Sequence, residues 1–112
     1  MMPQREDGIR IQHMLDAAKE AVSFVQGKGR GDLDKDRKLL LSLTRLLEVI
    51  GEAAGKVSAE TLKTTPQIPW PKIVGMRNRL IHAYFDLDLD EIWRTVQADL
   101  PPLIDQLERV IG

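Results

Sequence analysis

Apolar residues recur at three- and four-residue spacing along most of this chain, which is the period of an amphipathic helix. A first apolar stripe predicts a helix over about residues 6–26, and the three glycines within residues 27–31 end it. A second stripe predicts a long helix after this loop, with Asp32 or Asp34 as its N-cap. Its main apolar residues are Leu39, Leu40, Leu43, Leu46, Leu47 and Ile50.

Small and cap-forming residues predict the middle of the fold. Gly51 and the alanines after it are small enough to let another helix approach closely. Ser58 is expected to cap a short third helix. Three prolines within residues 66–71 force an extended connection, and Pro71 suits the first position of a fourth helix that runs towards residues 77–84.

The last part of the chain is predicted to form one more helix. Residues 86–88 are expected to form a short loop, and Asp88 is expected to cap the helix that follows. Pro101 and Pro102 should kink or break that helix. No alternating strand pattern is present. The pattern therefore predicts an all-α bundle of four main helices and one short helix.

The composition limits the possible functions. The chain has 112 residues, so we expect one domain over residues 1–112. It has no cysteine, which excludes thiolate catalysis and disulfides and fits a reducing cytoplasm. The net charge of −1 does not indicate a strongly basic nucleic-acid-binding protein. No apolar run resembles a signal peptide or is long enough to span a membrane.

The candidate chemistry is concentrated in residues 77–84. Arg77, Asn78, His82 and Tyr84 all lie here, although the chain has only two histidines and one tyrosine. In a helix, Asn78 and His82 at i, i+4 would share a face, so Asn78 could hold the imidazole in one orientation. Arg77 and His82 would lie about 140° apart. Either the helix ends before His82, or Arg77 and His82 meet across a dimer axis.

Arginine and histidine together suit RNA cleavage by the ribose 2′-hydroxyl. An imidazole can take the 2′ proton, a guanidinium can stabilise the phosphate, and an acid can protonate the leaving 5′ oxygen. No metal or other cofactor is needed for this reaction. The simpler alternative is a histidine at a helix C-terminus, which the helix dipole favours without any function.

The same residues also match a known family motif. Arg77, His82 and Tyr84 have the Arg-x4-His-x-Tyr spacing, and other parts of the chain support the match in the same order. These parts are residues 51–54, 68–70 and 75–78, Trp93, and residues 100–101. From about residue 10 to its end, the chain resembles the HepT-like ribonuclease toxins of the HEPN superfamily.

This resemblance implies an antiparallel HEPN-type helical bundle that forms a homodimer or a higher homo-oligomer. It also implies a metal-independent endoribonuclease, the toxin of a toxin–antitoxin pair, with Arg77 and His82 as catalytic residues. Asn78 and Tyr84 would support them. The implied partner is an MntA-like minimal nucleotidyltransferase, which neutralises the toxin by transferring AMP to Tyr84.

The alternative hypothesis is a non-catalytic helical dimer that binds and regulates a minimal nucleotidyltransferase or a nucleotide. The remaining polar and aromatic residues favour structural roles. His13 is expected at the surface, and Glu48 and Glu52 on a solvated helix face with Arg45 placed to pair with Glu48. Trp70 and Trp93 are expected to pack in the core or at an interface.

Overall fold

The computed structural model describes residues 5–83 and 86–112, and within them the regular secondary structure is helical apart from one small sheet. The predicted all-α fold is therefore confirmed. In chain order the elements are α1 (Arg5–Phe24), α2 (Asp32–Lys35), α3 (Arg37–Gly55), α4 (Ala59–Thr64), α5 (Trp70–Val74), α6 (Met76–Leu80), β1 (Ile81–Ala83), β2 (Asp86–Leu87), α7 (Leu89–Arg94), a π-helical turn (Thr95–Asp99) and α8 (Leu100–Ile111).

The two long helices α1 and α3 pack along each other, and α8 also packs against α1. Their apolar stripes meet in one buried core, in which Ile11, Leu43, Ile50 and Leu107 have no exposed surface. Burying a side chain of this size stabilises the fold by roughly 1.5–3 kcal/mol. The helical periodicity of the sequence therefore identifies the faces that form this core.

The start of α3 differs from the prediction. Asp32 and Asp34 lie in the separate single turn α2, and Asp36 is the N-cap of α3. Asp36 has extended backbone angles, and its Oδ1 accepts a hydrogen bond from the Leu39 amide at 3.1 Å. Of Asp32, Asp34 and Asp36, only Asp36 has a non-helical backbone. This backbone conformation, and not the residue type, decides which aspartate becomes the cap.

The short helix α4 is capped by Ser58, as predicted. The Ser58 hydroxyl accepts from the Thr61 amide at 3.3 Å. The connection after α4 ends at Trp70, which is buried and donates through Nε1 to the hydroxyl of Thr65 at 3.0 Å. The prediction that Trp70 is a packing residue is confirmed, and Trp93 also packs against the core.

The predicted fourth helix is divided at Gly75 into α5 and α6. The Gly75 amide donates to the Pro71 carbonyl, and a Cβ at Gly75 would lie only 3.3 Å from that oxygen. A Cβ on Gly51 of α3 would lie 3.4 Å from the Ile73 carbonyl oxygen of α5. The expected close approach at Gly51 is therefore confirmed.

A short β-hairpin follows α6, where the sequence pattern predicts no strand. Helix α6 ends at Leu80, and β1 pairs antiparallel with β2 through Ile81 opposite Leu87 and Ala83 opposite Asp86. Residues 86–88 are therefore not simply a loop. Strands of three and two residues are too short to show an alternating pattern, which explains the error.

The last helical segment begins at the predicted cap, since Asp88 Oδ1 accepts from the Glu91 amide at 3.1 Å. Helical structure continues through Pro101 and Pro102, which lie in the first turn of α8. The interruption occurs before them as a π-helical turn, closed by a bond from the Leu100 amide to the Thr95 carbonyl. The expected break is therefore only a locally wider helical turn that precedes the prolines. The prolines themselves do not end the helix, because proline is tolerated in the first turn of a helix.

Candidate functional site

Helix α6 presents Arg77 and Asn78 to solvent. Met76 and Leu80 are four residues apart, and both are buried in the core. Because residues at this spacing share one helix face, the intervening Arg77 and Asn78 project away from that face, and both are exposed. The packing of this short helix thus determines the face on which the Arg77 side chain is exposed.

Arg77 forms an ion pair with Glu48 of α3. Its Nε lies 3.3 Å from Oε2 of Glu48, whose side chain is only 23% exposed, while the Arg77 side chain is 56% exposed. The hydrogen bond uses Nε of the guanidinium, and within residues 5–83 and 86–112 the two terminal nitrogens donate no hydrogen bond to another side chain. A second ligand can therefore approach them.

The ion pair lies in a shallow groove of about 250 Å³ between α3 and the hairpin, which we call the Arg77 groove. Its apolar surface includes Leu41, which is 47% exposed. The groove is lined by Leu41, Thr44, Arg45, Glu48, Arg77, Ile81 and Leu87.

His82 is the middle residue of β1 and its side chain is 51% exposed. Successive residues of a strand point to opposite faces, so His82 points away from the side on which Ile81 lines the Arg77 groove. The imidazole Nε2 lies 3.7 Å from Oδ2 of Asp88, the residue that caps α7. Arg77 and His82 therefore have separate carboxylate neighbours.

The prediction that Asn78 and His82 share one helix face is wrong. Helix α6 ends at Leu80, so the two residues are not at i, i+4 of one helix. Of the two alternatives for Arg77 and His82, the one in which the helix ends before His82 is confirmed. A meeting across a dimer axis stays a prediction. Tyr84 lies outside the described residues.

Cations near residue 77 in the sequence have other partners. Lys72 pairs with Asp99 at 3.3 Å. Arg94 pairs with Asp99 and with Glu91, and these hydrogen bonds and charges raise the pKa of Arg94 above its ordinary value. Arg79 donates to the Lys72 carbonyl at 2.8 Å. None of these three cations lines the Arg77 groove.

Sequence reasoning missed the two carboxylates that contact the candidate residues. Glu48 was expected to pair with Arg45, but Arg45 lies 3.9 Å from Glu52 and Glu48 contacts Arg77 instead. The sequence predicts Asp88 only as a helix cap. The i, i+4 spacing of Glu48 and Glu52 singles out these two carboxylates in the sequence, but such a pair is more typical of a solvated helix face.

His13 is exposed on α1, as expected, in a groove of about 560 Å³ between α1 and α3. Its neighbours there include Arg10 and Glu52. Within residues 5–83 and 86–112, no three histidine, aspartate or glutamate side chains are grouped closely enough to hold a metal ion. In the same part of the chain, no helix is both long and apolar enough to cross a membrane.

A mainly helical fold with an exposed arginine and an exposed histidine, each beside a carboxylate, is an arrangement suited to acid–base chemistry on a phosphodiester. Comparison with known families agrees with that class. The family model described as "Ribonuclease HepT-like" matches residues 14–110, which is most of the chain. The chain therefore belongs to the HepT-like ribonuclease family.

Individual relatives support this assignment. The chain is 39% identical over 75 residues to "Probable ribonuclease HepT" of Thermococcus cleftensis, covering 67% of this chain and 68% of the relative. It is 33% identical over 101 residues to a protein of Caldanaerobacter subterraneus subsp. tengcongensis named as a candidate RNase, covering 90% of each chain. A Methanocaldococcus jannaschii protein with a similar name is 28% identical, covering 98% of this chain and 91% of the relative. No solved structure gives a significant match.

Proposed function

We propose that this protein is an endoribonuclease that cleaves RNA through attack of the ribose 2′-hydroxyl, without a metal ion, and acts as the toxin of a toxin–antitoxin pair. The observation that carries the proposal is the ribonuclease family match over residues 14–110. It is supported by the exposure of both Arg77 and His82, since a substrate phosphate must reach them. We place its action in the cytoplasm, where a toxin would meet cellular RNA.

His82 is the proposed general base and Arg77 the proposed phosphate ligand. The imidazole removes the 2′ proton, and the 2′ oxygen attacks the adjacent phosphorus. The bond to the 5′ oxygen breaks and that oxygen takes a proton, which leaves a 2′,3′-cyclic phosphate. With Nε of Arg77 on Glu48, the terminal nitrogens can donate to two phosphate oxygens. Asn78, exposed beside Arg77, would add a polar contact to the substrate.

A homodimer would complete this site. In one chain His82 does not line the Arg77 groove, and each of the two residues has its own carboxylate neighbour. A two-fold axis along the groove would place Arg77 of one copy near His82 of the other. It would also supply two imidazoles to one cleft, one as base and one as acid. The exposed Leu41 at the groove is a suitable apolar contact for that axis.

The proposed antitoxin is an MntA-like minimal nucleotidyltransferase that transfers AMP to Tyr84. The phenol oxygen would attack the α-phosphorus of ATP, releasing pyrophosphate and the phenolic proton. Tyr84 is two residues after His82 in the sequence, so a bulky anionic AMP there would oppose binding of an RNA phosphate. Unmodified Tyr84 would support catalysis.

RNA cleavage in the presence of EDTA tests the catalytic proposal. Wild-type protein should cut RNA and leave 2′,3′-cyclic phosphate ends, whereas Arg77→Ala and His82→Ala should lose at least about 100-fold in rate. Matched controls are Arg109→Ala, an arginine 77% exposed on α8, and His13→Ala, the only other histidine. Both should cleave at the wild-type rate. Full activity of a folded His82→Ala protein would disprove the proposal.

The antitoxin proposal is tested by the intact mass of the toxin after co-expression with a candidate nucleotidyltransferase. AMP additions should appear on wild-type protein and be absent from Tyr84→Phe. If the transferase binds tightly but no RNA is cut at any protein concentration, the chain is instead a non-catalytic regulator of that partner.

A further inference from the structure

Asp88 is fixed through its backbone and its side chain at the junction between the hairpin and α7. Its amide donates to the Leu80 carbonyl at 2.8 Å, and its carbonyl accepts from the Ile92 amide at 2.9 Å. One carboxylate oxygen, Oδ1, accepts from the Glu91 amide at 3.1 Å and caps α7. The other oxygen, Oδ2, lies 3.7 Å from Nε2 of His82.

We infer that Asp88 is a positioning residue for His82 as well as a helix cap, an inference that rests on the ribonuclease function proposed above. A neutral imidazole carries its proton on one nitrogen and a lone pair on the other. An ionised carboxylate can only accept, so Oδ2 favours the tautomer with the proton on Nε2. The lone pair is then on Nδ1, which becomes the atom that removes the ribose 2′ proton.

The separation of 3.7 Å between Nε2 and Oδ2 is longer than a hydrogen bond. A small rotation of the exposed His82 side chain closes it, whereas Asp88 is held by its cap and its backbone bonds. Hydrogen bonds of catalytic groups are often long in the free enzyme and shorten when substrate binds. Asp88 is thus the fixed partner and His82 the mobile one.

The variant Asp88→Asn separates positioning from capping. Asparagine caps a helix as well as aspartate does, so its amide oxygen can still accept from the Glu91 amide. The NH₂ group then faces Nε2 of His82 and donates to it, which favours the opposite tautomer. We expect kcat to fall about 100-fold with little change in KM, because the base is lost but substrate contacts remain.

Two further variants complete the series. Asp36→Asn changes the cap of α3, whose Oδ1 also accepts from an amide at 3.1 Å, so it is chemically matched to Asp88. Within residues 5–83 and 86–112 the carboxylate that pairs with His82 is that of Asp88 and not that of Asp36. Asp36→Asn should therefore keep the wild-type kcat. Asp88→Ser keeps a good cap and removes the partner of Nε2, so kcat should fall about tenfold, less than in Asp88→Asn. Thermal denaturation of all variants reports any loss of folded protein.

Imidazole ¹⁵N chemical shifts, measured in mildly alkaline buffer, report the tautomer directly. The wild-type protein should carry the His82 proton on Nε2, and Asp88→Asn should shift it towards Nδ1, while the signals of His13 stay unchanged. Identical His82 shifts in both proteins would overturn the inference, as would wild-type kcat in Asp88→Asn. If the wild-type protein cuts no RNA, the proposed function fails, but the ¹⁵N shifts still decide whether Asp88 sets the tautomer.

Discussion

Glu48 contacts Arg77 through one edge of the guanidinium only, with Nε of Arg77 3.3 Å from Oε2 of Glu48. Glu48 is partly buried on α3, whereas the arginine is more than half exposed. The more deeply buried carboxylate therefore limits the positions that the arginine can take. Its other edge remains available for a phosphate, which binds arginine through two parallel hydrogen bonds.

This relationship predicts that Glu48→Ala lowers kcat/KM for RNA cleavage about tenfold, because misplacing a catalytic group by about 1 Å can cost up to 100-fold. Glu48→Gln should lose less, since its amide oxygen can still accept from Nε. The matched control is Glu52→Ala, one turn further along α3, whose ion pair with Arg45 is long at 3.9 Å. Equal activity of Glu48→Ala and Glu52→Ala would show that Glu48 does not position Arg77.

The proposed dimer predicts that Leu41→Glu disrupts both assembly and cleavage. Leu41 is 47% exposed and lines the Arg77 groove, so a carboxylate there would lose its hydration at a two-fold contact and would face the same charge on the other copy. Sedimentation should show monomer, and RNA cleavage should fall at least about tenfold at a protein concentration where the wild type is dimeric. Ile111→Glu, an exposed aliphatic residue at the end of α8, should change neither. An active monomeric Leu41→Glu protein would refute the composite site.

Local sequence signals predicted the parts of the fold that depend on local geometry. Ser58 and Asp88 cap helices as expected because a cap bonds an amide only three residues away. The sequence alone could not identify Asp36, and not Asp32 or Asp34, as the N-cap of α3, because three closely spaced aspartates offer the same side-chain chemistry.

The candidate site was predicted only as far as its residues lie close together in the sequence. Arg77 and His82 are five residues apart, whereas Glu48 and Arg77 are 29 residues apart and meet only because α3 packs beside α6. The end of α6 at Leu80 also has no strong sequence signal, since neither glycine nor proline follows it. The packing of α3 beside α6 therefore supplies the Glu48 contact, and the pairing of β1 with β2 brings Asp88 close to His82.

The two tryptophans allow a test of the core. Trp70→Phe removes the donor to Thr65 and leaves a small cavity, so the free energy of unfolding should fall by about 2 kcal/mol. Trp93→Phe should cost less, because Trp93 is only partly buried. Each variant keeps a single tryptophan, whose fluorescence follows urea denaturation. A larger loss in Trp93→Phe than in Trp70→Phe would contradict this assignment.

Asp7 links the start of α1 to α4 and is only 3% exposed. Its Oδ1 accepts from the Ser58 amide at 3.0 Å, and its Oδ2 accepts from the hydroxyls of Ser58 and Thr61 at 2.6 and 2.5 Å. Burial alone would raise the pKa of Asp7, but these hydrogen bonds outweigh it, and the pKa is lowered from its ordinary 3.8.

Because the pKa of Asp7 is lower in the folded protein than in the unfolded chain, its ionised form stabilises the fold. That contribution is fully present above the unfolded pKa of about 4 and is lost as the pH falls through the lower folded value. Asp7→Asn should therefore lower the free energy of unfolding at pH 7 by about 2 kcal/mol, the size of hydrogen bonds to a charged group. The difference from wild type should shrink as the pH falls below about 4, because the unfolded chain then binds a proton that the folded carboxyl does not, and it should vanish once the pH is below the folded pKa. Urea denaturation at both pH values measures this, with the exposed Asp16→Asn as control. A difference that grew on acidification would mean that the folded protein raises the pKa of Asp7 instead.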